Sequence, residues 1–306
     1  PKWIEKRLRM GGEMNRELEA YVKSIVDEVR KRGDAALTEF SKKFDNVDLP
    51  FEKFRVTNKE IVDAYNLVSE EQISALEFMK RKVEALERSL LERIDITTED
   101  DVRLCSSPRP IQSVGCYVPG GEAPYPSTLI MAVVPAKVAG VPRIAVCSPP
   151  TSQGKINPLI LVAADLCKVD EVYKIGGAQA IAALAYGTES IRPVRKIVGP
   201  GNKYVTMAKL LVSRDVAIDM PAGPSEILVL ADETADPQII ALDMISQAEH
   251  SSDSISGLVT TSKKLAEEVV KELKRRIPTL RRNKVITEAL SGNGFIIIFN
   301  TMREAT

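Results

Sequence analysis

From about residue 111 onward, short apolar runs alternate with amphipathic segments, and this alternation leaves the chain few architectures. Arg143-Ile-Ala-Val-Cys147 reads as a strand closed by Ser-Pro-Pro, with a helix over 158–166 after it. Residues 170–175 read as a strand running into Gly176-Gly177, followed by a helix over 178–186. Lys196-Ile-Val198 is a strand running into Gly199-Pro-Gly-Asn202, followed by a helix over 204–212. Strands separated by helices in this way form a parallel sheet with helices packed on it.

A second rhythm of the same kind follows. Strands are expected at 227–230, 256–260 and 295–299, with a helix over 263–273. Between the first two strands, Asp236 is a helix N-cap and Pro237 takes the first helical position. The fold class is therefore α/β, expected as two Rossmann-like doubly wound domains with an N-terminal helical segment. The first domain is expected to be discontinuous, built from residues 12–116 plus 226–306, and the second spans 117–225. In the first hundred residues Val22, Ile25, Val26 and Val29 lie at helical spacing, and that helix stops at Gly33. Ser69-Glu-Glu-Gln72 fits a capping box, and Ile73, Leu76, Val83, Leu86 and Leu90 continue an apolar stripe to about Arg93. This part reads as scaffold.

Composition excludes several functions. Lys plus Arg and Asp plus Glu number 42 each, so no net field draws in nucleic acid or an anionic membrane. The basic clusters Lys274-Arg275-Arg276 and Arg281-Arg282 read as solvated helix faces. The four cysteines, at 105, 116, 147 and 167, form no C-x-x-C pair, which favours reduced thiols in a cytoplasmic protein. No apolar run approaches the roughly 18–20 residues of a membrane span, and no secretory signal opens the chain. The first residue is Pro, so N-terminal sequence is expected to be missing.

Three constellations can carry chemistry. Gly176-Gly177 and Gly199-Pro-Gly201 each stand between a strand and a helix, where ligands bind on open parallel sheets and helix N–H groups suit phosphate. Neither matches G-x-G-x-x-G, and a tight turn would use the same residues. Tyr117-Val-Pro-Gly-Gly121, with Ala123-Pro-Tyr-Pro-Ser127, reads as an irregular loop that either lines a site or makes a rigid crossing. Met220-Pro-Ala-Gly-Pro-Ser-Glu226 is similar, and its Ser225 either bonds a ligand or caps the turn. Finally, His250 is the only histidine, three positions after Gln247 and seven after Asp243. On a helix these share one face. Burying such groups without partners costs about 2–7 kcal/mol each, so a metal ion or polar ligand is expected there. A satisfied histidine with no ligand is the competing reading.

Several of these segments together resemble histidinol dehydrogenase. They are Arg32-Gly-Asp-Ala-Ala-Leu, Phe44-Asp45, Tyr117-Val-Pro-Gly-Gly, Ile175-Gly-Gly-Ala-Gln-Ala-Ile-Ala-Ala-Leu-Ala-Tyr-Gly, Gly199-Pro-Gly-Asn, Asp219-Met-Pro-Ala-Gly-Pro-Ser-Glu and Ser246-Gln-Ala-Glu-His. The resemblance implies an enzyme of histidine biosynthesis that oxidises L-histidinol to L-histidine through L-histidinaldehyde, using NAD and zinc, as a homodimer with two Rossmann-like domains. By motif, it places Tyr117, Gln179 and Asn202 at NAD, Ser225 at substrate, and Gln247 and His250 at zinc and substrate. The catalytic Glu-His pair and the remaining zinc ligands of the family are expected beyond Thr306, and Ser251 stands where many members have glycine. The chain as written is thus expected to bind zinc weakly and to turn over negligibly. A dehydrogenase of another small alcohol and a short nucleotide-binding form without catalysis are the alternatives.

Overall fold

Short strands buried on both sides set the architecture of the larger sheet. The computed structural model of the chain describes residues 2–94, 96–98, 104–120, 124–221 and 226–306. Two compact units divide it, Pro1–Ala222 and Gly223–Thr306.

The first unit opens with four helices, α1 (Lys2–Arg32), α2 (Asp34–Phe44), α3 (Asn58–Tyr65) and α4 (Glu70–Ile94). Gly33 separates the first two with φ +54°, a left-handed conformation that glycine takes without steric cost. The capping box forms, with Ser69 Oγ accepting from Gln72 N at 3.2 Å and Gln72 Oε1 accepting from Ser69 N at 3.1 Å. A small antiparallel pair, β1 (Ile96–Thr98) and β2 (Leu104–Ser106), follows. Then come β3 (Val114–Tyr117), α5 (Pro126–Val138), β4 (Ile144–Ser148), α6 (Pro158–Leu166), β5 (Glu171–Lys174), α7 (Gly177–Tyr186), β6 (Lys196–Val198), α8 (Lys203–Val212) and β7 (Ala217–Ile218).

The five strands from β3 to β7 form one sheet, ordered β5-β4-β3-β6-β7 and parallel throughout. The chain builds outward from β3 through β4 to β5, then returns to the other side of β3 for β6 and β7. The order therefore reverses between β3 and β6. Strand alternation sends Tyr117, Cys147, Tyr173 and Ile197 into one core with Val22, Val26, Leu37, Ile181 and Val205. Cys116, Val146 and Val172 enter another core with Leu76, Leu129, Val133 and Ile160. Helices thus cover both faces, as continuous apolar strands require. Each large side chain so buried contributes about 1.5–3 kcal/mol.

Helices α1 and α2 build their core against the sheet of residues 114–218. At the β5 edge, Glu171 pairs with Arg143 at 2.8 Å and with Arg192 at 2.7 Å. Burial alone would raise this carboxyl, but the two guanidiniums outweigh it and hold the group at about 2.

The second unit contains β8 (Glu226–Ala231), α9 (Pro237–Ala248), β9 (Ile255–Thr260), α10 (Lys263–Arg276), α11 (Asn283–Asn293), β10 (Gly294–Ile298) and α12 (Met302–Ala305). Its sheet is parallel, in the order β10-β9-β8. Asp236 caps α9 as expected, accepting from Gln238 N at 2.7 Å, with Pro237 next. Ile240, Ala241, Met244, Leu258, Leu265 and Val269 form the core.

Candidate active site

Ligands on open parallel sheets bind beyond the carboxyl ends of the strands, at the point where strand order reverses. Here that point lies between the ends of β3 and β6, and the motif residues Tyr117 and Gly199–Asn202 stand on its two sides.

Tyr117 ends β3 with its side chain in the core. Its hydroxyl oxygen accepts from Gly177 N at 3.1 Å, which ties the end of β3 to the first turn of α7. Burial pushes this phenol up to about 12; the Gly177 N–H opposes the shift, and the nearby Asp45 carboxylate adds to it. Gly177 has φ +68°, and a Cβ there would lie 2.6 Å from Gln179 Oε1, so the Gln179 amide folds back over this turn. Gln179 is 1% exposed, and its Nε2 has no hydrogen-bond partner. A buried donor left unpaired costs about 1–3 kcal/mol. Ser148, at the end of β4, likewise has a buried hydroxyl without a partner. Asn202 begins α8 as its N-cap, where its Oδ1 accepts from Tyr204 N and Val205 N, both at 3.1 Å. Its exposed position leaves it at the solvent side of the turn.

The Gly199 turn is held by residues whose role the sequence did not disclose. Gly199 N donates to Asp219 Oδ2 at 2.7 Å, and Gly199 O accepts from Lys209 Nζ at 2.9 Å. Lys209 and Asp219 also form an ion pair with each other. Lys209 is 3% exposed. The readable signal is that position 209 lies on the apolar stripe Val205, Ala208, Val212 of α8, where a lysine needs a buried partner.

In the second unit the polar stripe takes a different form from that expected. Helix α9 ends at Ala248, so His250 lies past it and is exposed. Asp243 is exposed and Gln247 half-buried, while the buried face is Ile240, Ala241, Met244, Ile245 and Ala248. Asp243 and Gln247 thus belong to the face opposite the core, and the desolvation cost expected for the stripe does not arise in this unit. His250 stays next to Gln247 through its backbone, His250 N donating to Gln247 O at 3.3 Å. Among the described residues no three His, Cys, Asp or Glu side chains gather into a metal-binding group. Ser225, the expected substrate contact, lies outside the described residues, as do residues 121–123 of the Tyr117 loop.

A family model for histidinol dehydrogenase matches residues 8–306. The chain belongs to the histidinol dehydrogenase family. It is 48% identical over 305 residues to the histidinol dehydrogenase of Clostridium acetobutylicum, covering 99% of this chain and 70% of that protein. It is 51% identical over 254 residues to that of Archaeoglobus fulgidus, covering 83% of this chain and 62% of the relative. The crystal structure of histidinol dehydrogenase from Elizabethkingia anophelis superposes with a TM-score of 0.81 at 38% identity, over 94% of this chain and 66% of that one. The chain spans about two thirds of the length of the curated relatives it matches. Membership of the histidinol dehydrogenase family makes it an oxidoreductase by family.

Proposed function

We propose that this chain provides the NAD-binding part, and part of the substrate and zinc contacts, of an enzyme that oxidises L-histidinol to L-histidine through L-histidinaldehyde. The carrying observation is the cluster at the carboxyl end of the sheet, where the Tyr117 hydroxyl reaches from the end of β3 to the Gly177 N–H and the unpartnered Gln179 amide at the start of α7. This set fits a nucleotide. The helix start supplies positive potential for a pyrophosphate, and the Gln179 amide nitrogen is a buried donor awaiting an acceptor. Tyr117 fixes the turn, Gln179 offers its donor, and Asn202 holds the start of α8 by its cap while facing solvent. Bound NAD⁺ would accept the hydride that leaves the alcohol carbon.

Gln247 and His250 are proposed as zinc and substrate contacts, with Ser225 as a further substrate contact. One amide oxygen and one imidazole nitrogen are two donors, and structural or catalytic zinc takes at least three from protein. The described residues therefore do not complete a zinc site, and no step is derived through the metal. The balanced charge supports a reading without nucleic-acid partners, and among the described residues no helix is long and apolar enough to cross a membrane.

The test is calorimetric titration of NAD⁺ into the 306-residue chain and into Gln179→Ala. Saturable binding that weakens about tenfold in the variant is expected, the size of one buried hydrogen bond. Absence of saturable binding to the unaltered chain would overturn the nucleotide reading.

A further inference from the structure

Both backbone polar groups of Gly199 are taken by one ion pair between a buried lysine and a half-buried aspartate, its N–H by Asp219 and its carbonyl by Lys209. Gly199 has φ +119°, and a Cβ there would lie 2.1 Å from Tyr117 O, so the turn is pressed against the end of β3. Three residues further on, Asn202 opens α8. The clamp therefore fixes the distance between the two sides of the strand-order reversal, Tyr117 on one and the start of α8 on the other.

We propose that Lys209 and Asp219 are positioning residues for nucleotide binding, acting through Gly199 without touching the ligand. The proposal rests on the nucleotide reading above. A lysine with an aspartate partner costs more to bury than the apolar residue that the Val205, Ala208, Val212 stripe would otherwise accept. A purely packing role at position 209 would be filled better by leucine or methionine. What the ion pair adds is direction: the ammonium donates to the Gly199 carbonyl while the carboxylate accepts the Gly199 N–H, so the peptide groups on both sides of that residue are held in one orientation. Without the cation, the carbonyl loses its donor and the turn is free to rotate away from β3.

The experiment measures the Kd for NAD⁺ by calorimetry, well below the melting temperature, in the whole chain and in Lys209→Met, Lys209→Arg, Asp219→Asn and Val133→Ala. Lys209→Met is expected to raise the Kd about tenfold or more, and Lys209→Arg to recover most of that loss. Asp219→Asn keeps an acceptor for the Gly199 N–H but removes the ion pair; it is expected to weaken binding in the same direction, and it carries the test if Lys209→Met does not fold. Val133→Ala opens a cavity on the opposite face of the sheet, so it is expected to lower the melting temperature and leave the Kd unchanged. A Kd within about twofold of the unaltered chain in both clamp variants would overturn the positioning role while leaving the nucleotide reading intact. A loss in Val133→Ala equal to that in the clamp variants would overturn it as well, by showing that general destabilisation is sufficient. If the unaltered chain does not bind NAD⁺, the nucleotide reading fails and this inference fails with it.

Discussion

Asp45 closes α2, its N–H donating to Ser41 O at 3.0 Å, and its carboxylate is near enough to Tyr117 to raise that phenol. Its Oδ2 is buried without a hydrogen-bond partner. Burial raises the carboxyl from its ordinary 3.8 to about 6. A raised carboxyl favours the neutral form in the folded chain. Its contribution to stability is therefore fully present below about pH 4 and is lost as pH rises through 6. The interval from 3.8 to about 6 corresponds to about 3 kcal/mol. The side chain is partly open to water, and screening reduces the expected penalty to about 1–2 kcal/mol at pH 7. Asp45→Asn removes the charge at nearly constant shape. The variant should be more stable than the parent by that amount at pH 7 and equal to it near pH 4. All seven tyrosines precede residue 223, so near-ultraviolet circular dichroism during urea unfolding reports the first unit. Comparing the two proteins at each pH cancels the other titrating groups, including Glu171, which the substitution leaves in place. Equal stability at pH 7, or a gain of the same size at both pH values, would refute the account.

Gly199→Ala combines an unfavourable φ with a methyl 2.1 Å from Tyr117 O, so it should cost more than about 3 kcal/mol and separate β6 from β3, read as lost tyrosine dichroism. Glu171→Gln leaves Arg143 without its charged partner and should destabilise the first unit by about 2 kcal/mol at pH 7. Because that carboxyl is held at about 2 against an ordinary 4.5, the stability it gives is present above pH 4.5 and lost as pH falls toward 2, so the deficit of the variant should shrink over that range in acid unfolding curves. Zinc competition against a chelating dye should show weak binding by the 306-residue chain that disappears in His250→Ala; retention of zinc by that variant would remove His250 from the proposed ligands.

Much of the fold was legible because its strands are short apolar runs ended by glycine or proline. The strand at 196–198 and the helix at 158–166 have the same bounds in sequence and structure. Helix α5 was not legible. Pro124 and Pro126 made residues 123–127 read as a loop, yet Pro126 occupies a first-turn position, where its missing N–H costs nothing. The rest of α5 is apolar nearly all round, with Leu129, Ile130, Val133 and Val134 buried and Met131 exposed, so no 3.6-residue period marks it. The stripe on α9 shows the opposite difficulty. Asp243 and Gln247 do lie at helical spacing, but so do Ile240, Ala241, Met244, Ile245 and Ala248, and the apolar set is the one that is buried, the first three in the core with the sheet and the last two against α11. On an amphipathic helix a polar stripe is first of all the face away from the core.

The proposed site residues divide along the same line. Tyr117, Gln179 and Asn202 sit at strand ends and helix starts, where local sequence announces a turn, and motif resemblance could name them. Lys209 and Asp219 could not be named that way, because the clamp joins positions 199, 209 and 219, each about ten residues from the next, through a turn, a helix and a loop. No helical or strand period spans that arrangement. Only the misfit of a lysine on an apolar stripe hinted at it, and a misfit indicates that a partner exists without saying which one. Geometry supplied the partner: an ion pair that closes on a glycine pressed against the neighbouring strand. Conformational freedom at Gly199 is what permits the close approach, and the Lys209–Asp219 pair is what takes that freedom away again.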